Sequence, residues 1–198
     1  MNDYPAIEVT RKLGSESFHF GSHPIGFSLL QFWQWAASDL TGNALRGLLA
    51  EYIVATALNR ASGVRTEWDA FDILSEKGRK VEVKSAAHIQ SWEQKAPSAI
   101  RFNIRPTQRW NAATNEYSQE AKRQADVYVF AVLAHTDQQS VDPLNLGQWV
   151  FYVLRASKLN ELGMQKSIAL SRLRKLGPIE ASYKQIAAAV ESEAQNGS

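Results

Sequence analysis

The sequence predicts an α/β fold, a central mixed β-sheet flanked by helices, and three observations predict it. Two stretches with helical spacing precede any convincing strand. Short segments with alternating apolar positions then read as an antiparallel meander. Two later runs, DVYVFAVLA at 126–134 and WVFYVL at 149–154, are almost continuously apolar, as central strands covered on both faces are. A chain of 198 residues, 44% hydrophobic and 21% charged, can supply one core of its own. We therefore expect a single domain over residues 1–194, with its core at about 44–155 and an arm with a helix over 1–40.

Residues 1–24 hold Gly14, Gly21 and Pro24 among mixed polar residues and read as an irregular arm or edge hairpin. Ser28 can cap a helix over 29–39. Thr41 or Asn43 can cap a second over 44–60, closed by Gly63. The apolar stripe of that second helix, Leu45, Leu48, Leu49, Tyr52 and Thr56, is expected to face the sheet and to leave Glu51 at its margin. Strands are expected at 64–67, 71–75 and 79–85, and at 100–105, where alternation is clean. Ser182 with Gln185 three residues on forms a capping-box pattern for a last helix to about 194, marked by Tyr183, Ile186, Ala187 and Val190. Residues 195–198 read as a disordered tail.

Composition excludes several classes of function. Lys plus Arg number 22 against 20 Asp plus Glu, a formal charge of +2, so any nucleic-acid site must be a local patch. Cysteine is absent, which removes disulfides, thiolate zinc sites and a thiol nucleophile, and makes a reducing cytoplasm the expected location. The apolar stretch at 25–40 is broken by Gln31, Gln34 and Asp39, so no membrane span or membrane partner is expected. His19, His23, His88 and His135 show no metal-ligand spacing, and no Gly-rich phosphate loop occurs.

The residues that carry chemistry surround Glu82-Val83-Lys84. An acid-x-Lys tripeptide arises by chance about once in a chain of this size, and Glu93-Gln94-Lys95 is a second example. Context separates the two. In Val81-Glu82-Val83-Lys84 the valines point to one face of a strand and the acid and base to the other. The preceding strand joins through Glu76-Lys77-Gly78, with glycine where such hairpins need a left-handed residue. Ser75 then faces Arg79, Leu74 faces Lys80, and Asp72 faces Glu82, with Phe71 and Ile73 turned into the core.

Opposed like charges about 5 Å apart are unfavourable unless a cation lies between them. A divalent ion resolves the conflict: Mg²⁺, with Mn²⁺ as a substitute, takes oxygen ligands, which Asp72, Glu82 and the Val83 carbonyl can supply. Glu51, with no helical neighbour able to pair with it, is the third candidate acid, and its structural alternative is a pair with a distant Arg formed on folding. Asp69 ranks behind Asp72 because it lies across from no acid.

This arrangement of helix Glu, then Asp, hairpin and Glu-x-Lys over residues 44–90 resembles the PD-(D/E)xK nuclease superfamily. The resemblance implies a restriction endonuclease-like core, metal binding by Asp72 and Glu82, and Lys84 orienting or activating water. Glu51 is similar to the helical acid of that family. Gln90 is similar to its glutamine after the lysine, which implies backbone contact or water positioning. Phe71 stands where the nominal motif has proline.

Between Gln94 and Asn115 there is no acid, while Lys95, Arg101, Arg105 and Arg109 accumulate beside Trp92 and Trp110. Arg101, Asn103 and Arg105 share one strand face, and cations beside aromatic rings suit phosphates and unstacked bases. The expected function is metal-dependent hydrolysis of DNA phosphodiester bonds, with DNA as partner and a homodimer to make paired cuts. Its alternative is a catalytically silent nuclease-fold module that binds DNA or a protein partner. A purely structural role would make Glu82 and Lys84 the solvated face of an edge strand, with Asp72 paired to Lys80 or Lys84.

Overall fold

The computed structural model describes residue 4 and residues 7–65, 70–108, 110–111 and 116–195. In chain order the elements begin with the hairpin β1 (Ser17–Phe20) and β2 (His23–Ser28), then α1 (Leu29–Ala36) and α2 (Asn43–Ala57). The hairpin β3 (Ile73–Leu74) and β4 (Lys80–Ala87) follows, then β5 (Arg101–Asn103), β6 (Trp110–Asn111) and β7 (Glu116–Tyr117). The last third holds β8 (Val127–Leu133), β9 (Trp149–Arg155), α3 (Ala156–Asn160), β10 (Ser167–Ala169), α4 (Leu170–Arg174), β11 (Ile179–Ala181) and α5 (Ile186–Gln195).

The central sheet is mixed and five-stranded, in the order β11-β9-β8-β4-β3. β4 and β8 run parallel, and the other neighbours are antiparallel. Every residue of β8 is buried, and the reason is that both of its faces are covered. Val127, Val129, Ala131 and Leu133 pack in one layer with Ala50, Ile53 and Val54 of α2 and Ile186 and Val190 of α5. Tyr128, Phe130 and Val132 face the opposite layer with Phe102, Leu159, Ile168 and Leu173.

The later strands, the mixed sheet and the flanking helices match the sequence reading, and several details differ. The meander reduces to the β3–β4 hairpin, because Val64 and Arg65 are not in a strand; the rest of that expected strand and Asp69 lie outside the described residues. The 100–105 strand forms but pairs with β10, off the central sheet. Phe71 packs against the layer opposite Ile73, because pairing with β4 ends at Asp72 and the chain turns away.

α2 buries a different face from the expected stripe. Arg46, Ala50, Ile53 and Val54 are turned inward, and Leu48 and Tyr52 are exposed. Small Ala50 lets the helix approach the sheet. Arg46, only 3% exposed, is tolerated there because its guanidinium donates to Thr41 O, Asn43 Oδ1, Gln90 Oε1 and Ser85 Oγ. The N-cap of α2 is Gly42, held by Asp39, and its C-terminal turn ends at left-handed Asn59 (φ 56°) before Gly63 is reached. α5 includes Gln195, and the remaining tail residues lie outside the described residues.

Phe130 is fully buried beside Phe102, ring centroids 4.9 Å apart. Phe130→Ala is expected to cost about 3–5 kcal/mol, read as a lower urea midpoint with an unchanged denaturant slope.

Candidate functional site

The β3–β4 hairpin has the register that its turn dictates. Gly78 adopts φ +77°, Ile73 pairs with Val81 and Leu74 with Lys80, and Ser75 N donates to Arg79 O. One step back, Asp72 N donates to Val81 O at 3.0 Å and Asp72 Oδ2 accepts from Val83 N at 2.7 Å. The Asp72 side chain thus serves the backbone of β4 where β3 no longer does. Ile73, Val81 and Val83 are buried in the layer under α2, which anchors the register.

Glu82 and Lys84 project from the other face of β4, opposite Tyr128 and Phe130 of β8. β4 is therefore not an edge strand, and both side chains are partly buried. Lys84 Nζ lies 2.5 Å from Glu82 Oε1. Lys80 sits over the Phe71 ring, 5.8 Å from its centroid. With Lys84 on Glu82, Lys80 on Phe71 and the Asp72 carboxylate on the Val83 amide, the cross-hairpin ion pair of a purely structural role does not form.

Asp72 is the electrostatic focus. Burial, reinforced by the charge of Glu82 and then of Glu51, pushes its carboxyl up to about 7, against the opposing pull of the Val83 amide and of Lys84. Glu51 comes from α2 at the margin of the buried face, and Arg65 Nε pairs with its Oε2 at 2.5 Å. Asp72, Glu82, Lys84 and Glu51 are thus brought within electrostatic reach of one another. Among the described residues no three acidic or histidine side chains form a ready cage for a metal ion.

Two clefts lie beside the hairpin. One, of about 610 Å³, is lined by Glu82, Lys84, Asn103, Arg105, Gln124 and Tyr128. The other, of about 480 Å³, is lined by Glu51, Tyr52, Arg11, Arg60, Arg65 and Asp72. Two of the residues expected to touch DNA, Asn103 and Arg105, therefore stand beside the acid and lysine. Arg101 lies on the same exposed face and donates to Ser167 Oγ at 3.2 Å. Arg109 and the side chain of Trp110 lie outside the described residues.

Gln90 lines neither cleft. It is buried, its Oε1 accepts from Arg46 Nη1 at 3.1 Å and its Nε2 donates to Ala87 O at 2.8 Å, so the structure places it as a tie between β4 and α2. Asp126 behaves as a strand-entry residue: its Oδ2 accepts from Lys80 N at 2.9 Å. His88, near the site in sequence, points its Nδ1 at Ser98 O.

Sequence reasoning missed Tyr128. Tyr128 is buried and lines the larger cleft, and burial with the nearby charge of Glu82 drives its phenol far above its ordinary range, so it stays protonated. The one signal was a polar atom in an otherwise apolar strand, set opposite Glu82 by the parallel register. Arg46 was also missed, and the distant arginine expected as the structural alternative for Glu51 takes form as Arg65, whose identity the sequence did not give.

A family model described as bacteriophage T4 endonuclease IV matches residues 28–172, which include α2, the β3–β4 hairpin and the two central strands β8 and β9. No curated protein and no solved structure shows a match to the chain. With well over half of its length matched, site residues included, the chain belongs to the bacteriophage T4 endonuclease IV family.

Proposed function

We propose that this chain is a metal-dependent endonuclease that hydrolyses DNA phosphodiester bonds at the β3–β4 hairpin, in the manner of the PD-(D/E)xK enzymes. The observation that carries the reading is the gathering of Glu82 and Glu51 around a buried Asp72, whose carboxyl is raised by burial and by these acidic neighbours. A sheet gains nothing from such a gathering unless a cation offsets it. Membership of an endonuclease family supports the same chemistry.

The donor set fits a hard ion. Carboxylate oxygens of Asp72 and Glu82, with the Val83 carbonyl, are the oxygen ligands that Mg²⁺ or Mn²⁺ prefers, and two carboxylates with open positions suffice where the substrate supplies the rest. When bound, the ion supplies charge neutralisation at the scissile phosphate and lowers the pKa of its water. Lys84, held by Glu82 at 2.5 Å, keeps an ammonium beside the reacting phosphate and orients the attacking water. Glu51 adds negative charge from the α2 side and is held in place by Arg65. Arg105 and Asn103, across the larger cleft, bind the strand that enters it, and the Tyr128 hydroxyl donates into the same space.

Supercoiled plasmid and single-stranded circular DNA incubated with Mg²⁺ or Mn²⁺ are expected to be cut by the wild-type chain. Asp72→Ala and Lys84→Ala should each slow cleavage by at least about 100-fold. Rates unchanged in both variants, or no cleavage with either ion, would remove the site from the proposal.

A second test needs no substrate. Because the Asp72 carboxyl is raised, the folded chain holds its proton to higher pH than the unfolded chain does. The contribution of Asp72 to stability is therefore complete below about pH 4 and is lost as pH rises through about 7. Without divalent ions, Asp72→Asn should abolish this part of the fall in Tm. Mg²⁺ competes with that proton, so it should raise the wild-type Tm more at pH 8 than at pH 5.5 and leave Asp72→Asn unmoved. An equal Mg²⁺ effect in both chains contradicts metal binding at Asp72.

A further inference from the structure

The arm before α2 carries an apolar surface that the rest of the chain leaves open. β1 and β2 form a separate two-stranded sheet. Strand alternation puts Phe18, Phe20, Ile25 and Phe27 on one of its faces, and the Phe18 and Phe27 rings meet at 4.8 Å. All four are exposed, Phe20 by 83%. α1 continues directly from β2, and none of its residues is buried. Leu30, Phe32, Trp33 and Trp35 are exposed, Trp35 by 84%.

Local contacts fix the joint between hairpin and helix and leave these side chains uncovered. Leu29 N and Leu30 N donate to Glu16 O and Gly14 O, and a Cβ on Gly14 (φ +92°) would come within 3.0 Å of the Trp33 ring. An isolated hairpin is marginal in water, and a helix of two turns does not sustain itself. The arm therefore needs a cover.

Its charge decides what kind. No lysine or arginine lies between Lys12 and Arg46, and the segment carries Glu16 and Asp39. A phosphate backbone or an anionic lipid surface is held by cations, which are missing here. Its area decides the scale. The hairpin face exposes about 400 Å² and the α1 side chains, spread around more than half of the helix, about 500 Å², taking aromatic side chains at about 150–250 Å² each. A standard stable interface buries about 800 Å² per partner, and the largest apolar patch of a typical monomer is smaller, at about 300–600 Å². A nearly uncharged face meets its own copy without like-charge cost, and a twofold axis repeats the same patch on both sides.

We infer that β1, β2 and α1 form a homodimer interface, in which each arm packs against the arm of a second copy about a twofold axis and Phe20 and Trp35 become buried. No residue of the nuclease site takes part in it. Its hairpin also precedes the family-matched segment, which begins at residue 28.

Sedimentation velocity on the full chain, without metal or DNA, tests it at about 1–50 µM. The wild-type chain is expected to sediment at twice its 22.1 kDa mass. Phe20→Ser with Trp35→Ser should sediment as a monomer with an unchanged circular dichroism spectrum, its dimer dissociation constant raised at least about 100-fold. If the double variant does not fold, Phe20→Lys alone, at the hairpin tip, is read by the same criterion. A wild-type monomer at the top concentration overturns the inference, whether or not it then binds vesicles or oligonucleotides. So does a folded variant that stays dimeric. Mass and cleavage are measured separately, so this interface and the nuclease reading can fail independently.

Discussion

Two carboxylates brought within electrostatic reach at the end of an apolar hairpin form the constraint on which the candidate site rests. Ile73, Val81 and Val83 are buried under α2, and each such burial contributes about 1.5–3 kcal/mol. Against that burial stands the repulsion between the charges of Asp72 and Glu82, which Lys84 on Glu82 partly offsets. The core therefore wins, and the strand cannot slip by one residue to relieve the acids without turning its valines out. Asp72 is committed further, because its Oδ2 takes the Val83 N–H that a longer β3 would have bonded. Repulsion at this place is the cost of a register that the core and the turn both demand.

The sheet positions the rest of the site by how it is covered. Along β8 the burial is complete on both faces, yet its neighbour β4 is buried at Ala86 and only partly so at Glu82 and Lys84. The second layer thins out there, and the larger cleft opens where it does. On the opposite face α2 brings Glu51 and Tyr52 to the smaller cleft beside Asp72. The acids thus sit where both covering layers withdraw from the sheet.

What was legible in the sequence follows from range. The hairpin register was readable because Gly78 and the alternation of Val81 and Val83 act within a few residues. The buried strands were readable because a short run that is apolar on both faces must be covered on both. The inward face of α2 was not, since it is set by Arg46, whose hydrogen-bond acceptors lie as far away as Gln90. Tyr128 was hidden inside a run that reads as core, and Glu51 was legible as a candidate while its partner Arg65 was not. Pattern within one element reaches the acids and the lysine; the residues that orient them are supplied by the fold.

Arg46 shows how that orientation is achieved. Its guanidinium is buried with neutral oxygen acceptors and no carboxylate within bonding distance; desolvation lowers its pKa, and the charge of Asp39 partly offsets this. Removing one acceptor would leave a buried donor unpaired at a cost of about 1–3 kcal/mol, so the bonds to Ser85 and Gln90 tie α2 firmly to the end of β4. Glu51 lies five residues along the same helix, and Lys84 is the immediate neighbour of Ser85. The Glu51 carboxylate, only 17% exposed, bonds to the more exposed Arg65. That pair orients the carboxylate, while the buried network sets where α2 carries it. Gln90, away from both clefts, thus acts on the site through the backbone that it holds.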